Sequence, residues 1–76
     1  MERKYSPDQL RIFVGVNVIN LEEEINAWIK SQHGINSGIQ VKTTKLDTCF
    51  NPKIDELQIT IILCYRTYII IEGENE

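Results

Sequence analysis

The stretch Leu57 to Ile71 runs for fifteen residues without a glycine or a proline and is filled with Ile, Leu, Thr and Tyr. β-branched and aromatic residues at that density favour an extended backbone, and nothing inside the run interrupts one. At about 3.4 Å per residue it would reach roughly 50 Å. A compact chain of 76 residues has a radius of gyration near 11 Å and is about 30 Å across. The strand therefore overshoots its own domain: it bends near Arg66 and Thr67, or its end, Tyr65 to Ile71, leaves the subunit and pairs with a neighbour. Both readings favour a homo-oligomer, at least a dimer, built sheet to sheet or edge to edge.

Within this run the odd positions Leu57, Ile59, Ile61, Leu63 and Tyr65 form a wholly apolar row. The even positions Gln58, Thr60, Ile62, Cys64, Arg66, Tyr68 and Ile70 form a mixed one. A second alternating segment, Leu10 to Ile19, sets Leu10, Ile12, Val14, Val16 and Val18 two apart, which predicts a strand with that row against a core. Its other row carries Arg11, Phe13, Gly15, Asn17 and Ile19. At Asn20 the period changes. Asn20 as a cap, Glu23 reaching back, and Glu22 to Glu24 near the positive end of the dipole predict a helix. Leu21, Ile25, Trp28 and Ile29 form its apolar stripe and Gly34 its stop. Ile39 to Phe50 reads as a less cleanly alternating strand at a sheet edge, guarded by Lys42 and Lys45 and closed by Asn51-Pro52-Lys53.

The expected fold is α+β, a β-α-β-β unit with one helix on one face of a three-stranded, mainly antiparallel sheet whose C-terminal strand is long. Residues 1–9 read as an N-terminal arm, 10–71 as the folded body of a single domain, and 72–76 as an acidic tail. The uncovered side of such a sheet offers Phe13, Ile19, Leu46 or Phe50, Ile62, Cys64, Tyr68 and Ile70, too much contiguous apolar surface for a monomer to leave in water.

The segment Leu21-Glu-Glu-Glu-Ile-Asn-Ala-Trp-Ile29, preceded by a short strand and followed by a hairpin ending in Ile-Leu-Cys-Tyr65, resembles a family of small Bacillus-type proteins associated with sporulation, found in Firmicutes and their phages. The resemblance covers roughly residues 10 to 66. The chain exceeds the family's usual length by its first nine residues and by Ile69 to Glu76. The resemblance implies this fold and a bacterial or phage origin; it implies no activity and no functional residues.

Eight Lys/Arg face eleven Asp/Glu, and without Glu72, Glu74 and Glu76 the two signs balance at eight each. That balance argues against binding duplex nucleic acid, which needs an excess of cations to displace phosphate counterions. No N-terminal stretch reads as a signal peptide and no run reaches the roughly 18 apolar residues of a membrane span, so the expectation is a cytoplasmic protein with no membrane partner. Cys49 and Cys64 then read as two small buried hydrophobes rather than a disulfide. With His33 they lack the paired spacing of a zinc site, and His33 beside Gly34 suits the negative end of the helix dipole.

No nucleophile elbow, phosphate loop or dinucleotide motif is present, no acid and base are paired, and no cofactor or metal is implied. The expectation is a non-enzymatic binder. Arg11 and Phe13 on strand one, with Arg66 and Tyr68 on the last strand, combine guanidinium and ring chemistry suited to a planar anion. On adjacent strands they would form a ligand site for a small nucleotide-type signal molecule, repeated in pockets between subunits and suited to sequestration. In the structural reading of the same residues, Phe13 and Tyr68 are interface core and both arginines are rim charges. The alternative function is a protein-interaction module, sporulation-associated or a host-protein inhibitor, that docks a partner on the exposed sheet face or edge strand.

Overall fold

In a computed structural model, which describes residues 2–71, the long apolar run is the axis of the molecule. It forms β4, Glu56–Ile71, and every other strand pairs with it: β1 (Glu2–Tyr5), β2 (Gln9–Gly15) and β3 (Ser37–Asn51). All pairings are antiparallel. β1 and β2 follow one another along one edge of β4, and β3 covers the other edge for the whole length of a hairpin. The helix α1, Val18–Ser31, lies on one side of this sheet. The molecule is accordingly a slab of 61 × 20 × 13 Å with a radius of gyration of 16.4 Å, well above the compact value of about 11 Å.

The sheet thus has four strands rather than three, because Glu2–Tyr5, expected as an arm, pairs with Tyr68 to Ile71. Those partners are the residues that were expected either to bend away or to pair with a neighbouring subunit; they are paired within the chain, to β1 and to Ser37 and Gly38 of β3. Pro7 separates β1 from β2 because it has no N–H to give to the ladder. Across the gap Ser6 N–H donates to Thr67 O at 2.9 Å, and Thr67 N–H donates to Ser6 Oγ at 2.9 Å. The acidic tail from Glu72 lies outside the described residues.

Directly paired residues share a face, so the register sorts the side chains. Toward the helix lie Phe13, Ile61 and Leu46 in one rank and Arg11, Leu63 and Thr44 in the next. Phe13, Leu21 and Leu63 are the buried core, with Ile25, Trp28, Ile59 and Ile61 packed on them. This reverses the expected faces of β2. Phe13 is 2% exposed, whereas Leu10, Ile12 and Val14 are 67%, 55% and 49% exposed. The physical reason is Gly15: a Cβ there would stand 3.0 Å from Leu21 Cγ, so only the Gly15 side of β2 lets the helix anchor come down. Leu46 and Phe50 also belong to the helix side, across from Ile61 and Leu57, not to the uncovered side.

The helix begins three residues before the expected position. Asn17 is its cap, its Oδ1 accepting the Asn20 N–H at 3.0 Å, and Glu22 to Glu24 fall beyond the first turn. Its C-cap is Gln32 rather than a glycine. β3 is an edge strand, as its polar residues predict, and its irregular alternation has a structural cause. The register shifts between Val41 and Thr43, so Lys42 is one extra residue and the strand exchanges faces there.

Candidate functional site

The side of the sheet away from the helix, the open face, carries two regions. In the middle are three ranks across β2, β4 and β3: Leu10, Cys64 and Thr43; Ile12, Ile62 and Lys45; Val14, Thr60 and Asp47. The Lys42 bulge puts Thr43, Lys45, Asp47 and Cys49 on this side. The cysteines are therefore not a buried pair: both are free thiols, Cys49 exposed and Cys64 half-buried.

At the far end of the open face, where β1 lies beside β4, two arginines and two tyrosines form a ladder. Tyr5 pairs with Tyr68, and their ring centroids are 5.9 Å apart at 55°. Arg66 Cζ lies 3.7 Å from the Tyr5 centroid, and Arg3 Cζ lies 4.5 Å from that of Tyr68. Each cation thus sits over one ring of an aromatic pair, within the roughly 6 Å that a cation–π attraction requires. Arg66 is further held by Nε, which donates to Gln40 Oε1 at 2.7 Å across to β3.

Gly38, opposite Tyr68 on β3, makes room for this end of the sheet. A Cβ there would lie 2.6 Å from both His33 Nδ1 and Tyr68 Oη. His33, just past the helix end, therefore reaches over β3 toward the tyrosine hydroxyl. Beside the ladder, Lys42 Nζ bridges to Asp8 Oδ2 at 3.2 Å, tying the β3 bulge to the β1–β2 turn.

The four residues singled out from the sequence are not brought together. Arg66 and Tyr68 are on the open face, within the ladder. Arg11 and Phe13 are on the helix side, where Arg11 Cζ lies 5.1 Å from the Phe13 ring and 5.7 Å from Trp28. Phe13 is core, edge-on to Trp28 at 5.7 Å, and Trp28 is edge-on to Tyr65 at 4.9 Å. The cause is one of parity: Arg11 pairs with Leu63, three residues from Arg66, and an odd separation along a strand changes face. Arg3 and Tyr5 take the places expected of Arg11 and Phe13. Their spacing of two in Glu2-Arg-Lys-Tyr5 is the signal that would have found them.

Among the described residues, no group of three His, Cys, Asp or Glu side chains is arranged to hold a metal ion, and no enclosed pocket is present. No helix among them is long and apolar enough to cross a membrane. The chain matches no family model, no curated protein and no solved structure.

Proposed function

We propose that this protein is a non-enzymatic, self-associating binding protein that takes up a small planar anion of nucleotide type at the Arg3–Tyr68–Tyr5–Arg66 ladder. The observation that carries this reading is two guanidinium groups stacked on abutting tyrosine rings, on the sheet face that the helix leaves uncovered. Arginine offers paired N–H donors to a phosphate and a flat surface to a base. Arg66 has already committed Nε to Gln40, so its Nη groups are the donors turned to a ligand. Seated against a second subunit, an open ladder gains a wall and becomes a pocket. Sequestration of a signal molecule in a bacterial or phage setting is the role that suits such a pocket.

The test is a thermal-shift titration with ATP and AMP, with inorganic phosphate as a control. A ligand that binds only the folded state raises the melting temperature as its concentration passes Kd. Arg66→Ala and Arg3→Ala should abolish the shift, and Arg11→Ala should preserve it because that side chain is on the other side of the sheet. No shift at millimolar nucleotide would overturn the ligand reading.

A second reading is favoured by the apolar ranks around Ile12 and Ile62, which suit docking of a different protein as well as they suit self-association. It predicts a monomer without nucleotide response whose partner binding is lost in Ile12→Glu.

A further inference from the structure

Among the described residues, more large apolar side chains are exposed than buried. Phe13, Leu21, Ile39 and Leu63 are the buried hydrophobic side chains, while Leu10, Ile12 and Val14 stand in a row on the open face beside Ile62 and Cys64. We propose that a second copy of this chain covers this row, packing open face to open face about a two-fold axis. The interface gives a location to the self-association in the functional reading and rests on it.

Three features commit the occupant to another copy. The broad side of a slab of 61 × 20 Å has room for the about 800 Å² per partner of a stable interface. The charge pattern is self-complementary: Lys45 and Asp47 lie on β3 in successive ranks of the open face, level with Ile12 and Ile62 and with Val14 and Thr60. A two-fold axis running across the strands between these two ranks brings Lys45 toward Asp47 of the partner subunit, and the reverse. Finally, both edges are interrupted for a competing edge-to-edge arrangement: the bulge between Val41 and Thr43 breaks the regular ladder on β3, and Pro7, without an N–H, divides the other edge into the short β1 and β2.

Light scattering across micromolar concentrations tests the interface with Lys45→Asp and Asp47→Lys, two exposed positions remote from the core. Each variant alone turns the rim attraction into repulsion at two symmetric places, and its dimer should dissociate about tenfold more readily. An equimolar mixture of the two should restore wild-type affinity as a heterodimer. Ile12→Glu should yield a monomer, with Leu10→Glu, at a still more exposed position, as the second variant should Ile12→Glu fail to fold. Leu46→Glu, on the helix side, should remain dimeric. A dimer that survives Ile12→Glu and Leu10→Glu but is lost in Leu46→Glu overturns this interface and leaves self-association standing; a wild-type monomer at high micromolar concentration overturns both.

Discussion

Gly38 governs the ladder more than any charged residue does. The space above its Cα is filled by His33 Nδ1 and Tyr68 Oη, so a methyl group there must push the tyrosine aside. Tyr68 carries both the aromatic contact with Tyr5 and the Arg3 cation. Gly38→Ala should therefore cost about 1 kcal/mol of stability, the value of an aromatic pair, and weaken the nucleotide-induced thermal shift together with it. An unchanged shift in a protein of unchanged stability would show that the ring is free to move without consequence. At the same scale, the sequence disclosed Arg66 and Tyr68 but assigned them the wrong companions. Arg3 and Tyr5 lie in a mixed polar tetrad with no apolar alternation, and nothing local marks it as a strand. It becomes one because Tyr68 to Ile71 present an unpaired edge.

Among the elements, β3 shows how a single inserted residue allocates chemistry to faces. Before Lys42, Gln40 is the open-face residue; after it, Thr43, Lys45 and Asp47 are, and Thr44, Leu46, Thr48 and Phe50 turn toward the helix side. The backbone of Lys42 thus has one role and its ammonium another. Lys42→Ala removes an ion pair whose side chains are both substantially exposed, worth no more than about 1 kcal/mol. Deleting Lys42 leaves Val41 opposite Tyr65 and Thr43 opposite Cys64 in a regular ladder with the faces kept, whereas inserting one more residue after it reverses the faces of the strand from Thr43 onward or forces a register slip. In urea unfolding the substitution should leave the midpoint nearly in place, while the insertion should lower it clearly; equal effects would mean that the faces of β3 carry no structural weight. The elements themselves were legible from their periodicity: the apolar run of β4, the stripe Leu21, Ile25, Trp28 and Ile29, and the hairpin closed at Pro52 all form where expected. The helix cap moved to Asn17 because the β2 ladder ends at Gly15, opposite Ile59, which leaves the next asparagine free to cap.

For the molecule as a whole, a thin core on a long slab makes stability and assembly a single question. A domain of this size is marginal even when compact, and here the buried hydrophobic side chains are those around Phe13, Leu21 and Leu63, with Ile39 apart. If a second copy supplies the missing cover, unfolding also dissociates the pair, and the melting temperature must rise with protein concentration. With average unfolding entropies for a dimer of two 76-residue chains, the rise is about 5 °C for each tenfold increase. Calorimetry over two decades of concentration checks it, and a constant melting temperature would mean that the slab is stable alone.

The sequence by itself determined three of the four strands, the helix apart from its first turn, and that β4 is too long for a compact body, because periodicity, propensity and length are properties of local chemistry. It could not determine which side of β2 meets the helix, since rows on both sides of a strand can look apolar. The clearance above Gly15, the extra residue at Lys42 and the edge that β4 offers to β1 decided that. Each of these is a relation between segments far apart in the chain. A side chain's face depends on where its partner strand stops and what can approach it, so the composition of the arginine–tyrosine ladder emerged only with the tertiary structure.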